Sequence, residues 1–354
     1  MNDFETLIGL VSRYSPSGDE RGTVEWLVSR MKSLCYDQAF IDEAGNAVGV
    51  MGAGQRQVVL LGHIDTVPGE VQVRAAGGVL YGRGAVDAKG PLACFTDAVV
   101  QIGAMDGWQF IVIGAVEEER DSDGARYVAG KYQPEYAVIG EPNQWDRVGL
   151  GYKGSAWAEI TVRQEQRHTA SGEPTASETA VDVWLRIRAF ADSFNTDKPR
   201  LFDQILPTLR GMESGRDGFT QWARLNAGAR LPLDLSPDDW YEKLQEISRD
   251  AQVERLGYAI PAWKCDKNTR LVRAFLSGIR SQGGEPRFVY KTGTADLNIV
   301  APVWKCPAVV YGPGDSSLDH TPNEHISLEE YRRAVEVLRQ ALKQLITQPP
   351  LTKA

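Results

Sequence analysis

Histidine is scarce in this chain, with four residues among 354. No apolar run reaches the roughly 18 residues that a membrane helix needs. The opening Met1-Asn2-Asp3-Phe4-Glu5 has neither the basic flank nor the apolar stretch of an export signal, so a cytoplasmic protein is expected. Blocks of about five like charges are missing as well. With 39 basic residues against 47 acidic ones, the net charge of −8 leaves no footprint for nucleic acid. The four cysteines, Cys35, Cys94, Cys265 and Cys306, lie far apart and form no CxxC pair. That excludes a zinc ribbon, a thioredoxin-type motif and a disulfide framework, and predicts reduced, packed thiols. What remains is an ordinary globular composition, 42% hydrophobic and 24% charged, at a length that fits two domains or one large interrupted domain.

Helical spacing first appears after Asp19, where Val24, Leu27, Val28, Met31 and Leu34 recur on one face behind Ser17-Gly18-Asp19-Glu20 as cap and first-turn acids. Short apolar runs at 48–51, 58–61, 110–113 and 136–139 read as strands buried on both faces, with a helix over 89–101 between two of them. This rhythm is that of an α/β sheet covered by helices. After Gly151 the pattern changes to alternating strands (156–162, near 206, 223–233, 253–260) and two helices, one over 177–194 and one capped by Ser236 with Pro237 in its first position. A discontinuous α/β domain, 1–151 and 262–354, with an α+β insert over 152–261, is therefore expected. Helix 271–282, strand 308–311 and a last helix opened by a capping box at Ser327–Glu330 complete the first part. The tail from Gln348 is expected to fray.

In an open α/β sheet the ligand site lies beyond the carboxyl ends of the strands. Here those ends are followed by His63 and Asp65, by Asp87 within Gly82–Gly90, by the triple acid Glu117–Glu119, by Glu141 and by a loop holding Asp319 and His320. Each element alone has a plain reading as a loop hydrogen bond or a solvated turn. Together they gather several carboxylates and two imidazoles at one place, where like charges repel unless cations separate them. Imidazole with carboxylate suits Zn²⁺, and also Co²⁺ or Mn²⁺.

With GHIDTVP at 62–68, GRGAVDAKG at 82–90, the acid run, GEP at 140–142 and HTPNEH at 320–325, the chain resembles the M20 family of metallopeptidases and amidohydrolases. The resemblance covers essentially the whole length. It implies a mixed-sheet, zinc-peptidase-like catalytic domain with an inserted dimerisation lid, two divalent ions, and a homodimer. By position, His63 and Glu141 would bind one ion, Glu119 and His320 the other, and Asp87 both. Asp65 would orient His63. The general base, which takes a proton from the attacking water and hands it to the leaving amine, would be Glu118. The triple acid leaves a second register open, with Glu117 as base and Glu118 as ligand; the five-residue step from Glu119 to Gly124 favours the first.

In the insert, His168 would stand where the family's lid histidine stabilises the oxyanion of the neighbouring subunit, although Arg167 replaces the usual glycine before it. Arg230 resembles the arginine that holds a substrate carboxylate. Lys291, Gly293 and Thr294 resemble a substrate-side loop, and His325 reads as structural. Within the family, segments 85–91, 149–154, 291–294 and 311–325 look most like the LysK type, which implies hydrolysis of lysine or ornithine from the C-terminal glutamate γ-carboxyl of an amino-group carrier protein of the LysW type, in lysine or arginine biosynthesis. The alternatives are a small-molecule deacylase, for acetylornithine or succinyl-diaminopimelate, and a non-catalytic carrier-binding homologue.

Overall fold

Apolar runs of four to six residues bounded by glycine build the centre of the molecule, because strands buried on both faces need no polar alternation. In the computed structural model, which describes residues 4–347, the strands Arg56–His63, Trp108–Ala115 and Tyr136–Gly140 lie side by side and parallel. Ala308–Val310 extends them, parallel to Tyr136–Gly140. The edges are antiparallel: Ala47–Met51 and then Gln38–Ile41 beyond Trp108–Ala115, and Arg147–Tyr152 beyond Ala308–Val310. The sheet is thus mixed, with its four central strands pointing the same way. Their carboxyl ends meet at one edge, where His63 registers with Ala115, and Gly62 with Gly140.

Helix Lys89–Ile102 crosses between the first two of these strands and covers one face. Glycine lets it come close: a Cβ on Gly140 would lie 2.8 Å from the Phe95 ring, and one on Gly62 would lie 3.4 Å from Leu92. Arg270–Ser281 and Leu328–Thr347 pack on each other and complete the cover. The chain divides into two compact units, one of residues up to Gly151 with Cys265–Tyr290 and Ala295 onward, the other of Tyr152–Lys264 with Lys291–Thr294.

The second unit is an antiparallel sheet in the order Leu206–Arg216, Thr220–Leu231, Gly154–Glu165, Gln252–Ile260. Alternation explains its one-sided core. Ala156, Ala158, Ile160 and Val162 on one strand and Ala223, Leu225, Ala227 and Ala229 on the next face helices Ala176–Asn195 and Pro237–Ile247. Both helices begin in capping boxes, Thr175 with Glu178 and Ser236 with Asp239.

Several expectations need correction. The second unit ends at Lys264 rather than 261, and takes in Lys291–Thr294. The first amphipathic helix runs Arg21–Ser33 with no acid in its first turn; Ser17 instead donates to Asp65 at 2.6 Å. Ser327 Oγ does accept from the Glu330 amide at 3.3 Å, but the Glu330 carboxylate accepts from the amides of Trp145 and Gly314 rather than closing the box. Cys35 is exposed, not packed, while Cys94 and Cys265 are buried. Helices Glu5–Val11 and Asp296–Trp304 are additional to those expected, the latter concealed by Pro302 inside it. The tail from Gln348 lies outside the described residues. Among the described residues no helix is long and apolar enough to cross a membrane.

Candidate metal centre and active site

Because four parallel strands end at one edge, strand register brings the segments that follow them together. His63 is the last residue of its strand and is buried. Its Nδ1 lies 3.3 Å from Asp65 Oδ1, and its Nε2 lies 3.1 Å from Asp87 Oδ1. The other oxygen of Asp87 lies 3.1 Å from His320 Nε2, which also meets Glu119 Oε1 at 3.0 Å. One carboxylate therefore stands between two imidazoles, an oxygen toward each.

Three groups have ligand atoms within 4.8 Å of one another: His63 with Asp87 and Glu141, Asp87 with Glu119 and His320, and His63 with Glu118 and Glu119. The first two share only Asp87. The donor set is carboxylate and imidazole throughout, which suits a divalent ion of the Zn²⁺ type and supplies a negative surplus that cations would neutralise. These residues fit such ions.

The acid run is placed by its backbone. Asp65, fully buried, accepts from the amides of Glu118 and Glu119 at 3.1 Å each, and Glu20 accepts from the Glu117 amide at 3.2 Å. Glu117 and Ser122 take positive φ, 60° and 54°, on either side of the turn. Strained non-glycine backbone of this kind persists where its surroundings over-determine it. The result separates three consecutive acids: Glu118 and Glu119 face His63, while the Glu117 carboxylate lies 3.8 Å from Arg120.

Electrostatics follow from crowding in a largely buried site. Burial raises the Glu118 carboxyl well above the usual range, and the carboxylates of Glu141, Glu119 and Asp296 add to this against the opposing His63. Burial likewise raises Glu119, and pushes Asp296 up to about 7. For His63, burial opposes the charge, but hydrogen bonds to Asp65 and Asp87 overcome it and hold the proton well above the imidazole range. Hydrogen bonds to Asp87 and Glu119 raise His320 to about 10. Asp87 resists its burial and stays low because both imidazoles donate to it. In short, protons on the two imidazoles offset part of the carboxylate charge gathered here.

In the second unit, Arg230 Nη1 donates to Thr294 Oγ1 at 2.8 Å, so two residues far apart in sequence meet. Lys291 and Gly293 precede that threonine in the same unit. His168 is exposed, and its Nδ1 accepts from the Ala170 amide at 3.1 Å, which turns the ring toward its own loop. His325 joins a small antiparallel sheet and lies with its ring 4.8 Å from that of Tyr81. Glu324, Arg83 and Asp296 border the centre without an expected role, and Ser17 and Glu20, expected only to cap the first amphipathic helix, bond to Asp65 and to the Glu117 amide. Two of these residues, Arg83 and Glu324, stand inside motifs already singled out in the sequence.

A mixed α/β sheet whose strand ends collect paired histidines and shared carboxylates defines a metallohydrolase-type centre. Residues 59–344 match the model of Peptidase family M20/M25/M40, and the chain belongs to this family of hydrolases. It is 43% identical over 345 residues to the [LysW]-lysine hydrolase of Deinococcus radiodurans, covering 95% of each chain. It is 40% identical to the putative [LysW]-lysine/[LysW]-ornithine hydrolase of Thermococcus kodakarensis, covering 96% of this chain and 91% of that one. Among solved structures, an M20 family metallo-carboxypeptidase from Sulfolobus solfataricus superposes with a TM-score of 0.79 at 16% identity, over 98% of this chain and 99% of that one.

Proposed function

We propose that this chain releases lysine or ornithine from the C-terminal glutamate γ-carboxyl of an amino-group carrier protein of the LysW type, within cytoplasmic lysine or arginine biosynthesis. The observation that supports the reaction is the pair of three-residue groups sharing Asp87. The substrate rests on likeness to relatives named for [LysW]-lysine and [LysW]-ornithine.

His63, Asp87 and Glu141 would hold one divalent ion and Asp87, Glu119 and His320 the second, zinc being the favoured metal and cobalt an alternative. Bound there, such ions supply Lewis acidity toward the amide carbonyl and a lowered pKa for water. The chain's own residues do the rest. Glu118, raised by burial, accepts the proton of the attacking water and returns it to the departing amine. Asp65 fixes the ring of His63. Arg230, steadied by Thr294, pairs with a substrate carboxylate, beside the Lys291–Thr294 loop. His168 of a second copy would donate to the oxyanion, which makes the second unit a dimerisation lid and the working form a homodimer.

The test offers purified protein, with Zn²⁺ or Co²⁺, the lysyl and ornithyl carrier conjugates beside N-acetylornithine and succinyl-diaminopimelate. Release of the amino acid from the conjugates at the highest kcat/KM is expected. Preference for either small acyl compound overturns the carrier reading, and absence of turnover on all four overturns the enzyme reading.

A further inference from the structure

Glu324 is fully buried, and its carboxylate accepts from two backbone amides and one arginine. Its Oε1 accepts from the amides of Val86 and Asp87 at 2.9 and 3.1 Å, and its Oε2 from Arg83 Nη1 at 2.8 Å. Its own carbonyl accepts from the Gly82 amide at 3.2 Å. The guanidinium is tied down in turn: Nη1 donates to the Thr321 carbonyl at 3.2 Å, and Nε to the Gly69 carbonyl at 2.8 Å.

These bonds join two loops that come from distant parts of the sequence. One, Gly82–Gly90, delivers Asp87; the other, Asp319–His325, delivers His320. Both meet at the Asp87 carboxylate, whose oxygens lie 3.1 Å from His63 and from His320. The two amides that Glu324 holds belong to Asp87 itself and to the residue before it. A buried carboxylate is costly unless its oxygens are satisfied, and here the satisfying donors are the backbone of the bridging residue and an arginine clamped to the other loop. Packing alone would not need a charge at this place; an apolar side chain fills volume at lower cost.

We infer that Glu324, with Arg83 as its counter-ion, is a positioning residue that sets the Asp87 carboxylate between its two imidazoles and so fixes the relation of the two metal sites. The inference rests on the two-ion reading above. Glu324 touches neither ion nor substrate; it acts through the backbone of Asp87.

Co²⁺ titration followed by calorimetry and visible absorption tests it on the full-length protein. Wild type takes up two ions. In E324Q one acceptor oxygen remains for the two amides but an amide NH₂ faces Arg83, and the metal-free protein should keep the wild-type circular dichroism. The weaker of the two Co²⁺ ions should then bind about 10–100-fold less tightly, with a shifted absorption band. R83K leaves the carboxylate in place but loses the forked contacts to Gly69 and Thr321; it should show the same change at smaller size, and it decides the matter if E324Q fails to fold. Unchanged affinity and absorption in folded E324Q, or in R83K where E324Q does not fold, overturn the assignment. Fewer than two ions in the wild type overturn the two-ion reading instead, a failure visible before any variant is made.

Discussion

The two units place their candidate residues by opposite means. In the first, parallel strands buried on both faces end together, and the residues beyond them are driven into one crowded place where His63, Asp65 and Glu324 are almost wholly inaccessible. In the second, an antiparallel sheet packs one face against two helices, Arg230 stands half-buried on a strand and donates to Thr294, and His168 lies exposed in a loop. A site made by strand termini in a buried sheet is over-determined, since moving one side chain disturbs several carboxylates. A residue on a strand or loop of a one-sided sheet is held by fewer neighbours, so changing it should disturb less around it.

The largest expected effect therefore belongs to the shared carboxylate. Asp87→Asn removes the charge that faces both imidazoles, and metal content measured by atomic emission should fall below two ions, with affinity reduced by more than about 100-fold. Retention of both ions at wild-type affinity would show that the two groups are independent of each other. Next comes the base. Glu118→Gln is expected to lower kcat by about 10²–10⁴-fold while both ions stay bound, and Glu117→Gln to change kcat little, because Glu117 faces Arg120. The reverse order of the two variants would establish the alternative register of the acid run.

Effects in the second unit should be smaller and of another kind. His168→Ala should cost about 10²–10³-fold in kcat without altering metal content, if the imidazole donates to the oxyanion. Mixing it with an otherwise inactive Glu118→Gln protein should restore part of the activity through hybrid dimers, an outcome that a histidine acting within its own subunit cannot give. Arg230→Met should act chiefly on KM, raising it about 10–100-fold, if the guanidinium pairs with a substrate carboxylate that is present in ground and transition state alike.

The same contrast explains what could be read from the amino acids. Residues such as His63 and Glu141 are legible because they sit at the ends of short apolar runs, and the rule for strand ends turns that adjacency into proximity; His320 is legible through the loop that follows the strand Ala308–Val310. The alternation of Ala156–Val162 with its neighbours likewise announces a one-sided core. Glu324 and Asp296 are not legible in this way. Their surroundings depend on loops that meet only in three dimensions, and nothing in HTPNEH or in the residues that follow Thr294 separates a buried acid from a solvated one. Glu330 shows the limit from another side: a capping-box pattern was present at Ser327, but two loop amides, of Trp145 and Gly314, compete successfully for its carboxylate. Membership of Lys291–Thr294 in the second unit also escapes the sequence, because that loop leaves a strand of the first unit and returns to a helix of it.

The smallest effect sharpens the comparison most directly, because it separates a proton-filled centre from an ion-filled one. Asp296 has an ordinary value of 3.8 and sits at about 7 in the folded chain through burial, so the folded state keeps a proton that the unfolded chain has lost. Stability tied to it is present at low pH and is lost as pH rises from about 4 through 7. His320, raised from 6.5 to about 10 by Asp87 and Glu119, adds stability that is complete below about 6.5 and disappears as pH rises toward 10. Asp65 and Asp87 are lowered, so their stabilisation exists above the usual carboxyl range and is lost only on acidification below it, outside this window. Protein stripped with a chelator should therefore melt at a lower temperature at pH 9.5 than at pH 6, by a few degrees. With Zn²⁺ restored, cations replace the lost protons and metal binding strengthens as the ligands deprotonate, which should flatten or reverse the trend. Calorimetric scans of both forms at the two pH values measure it. A stripped protein that melts at the same temperature or higher at pH 9.5 would mean that the carboxylates of the first unit are separated by solvent rather than by the protons on His63 and His320.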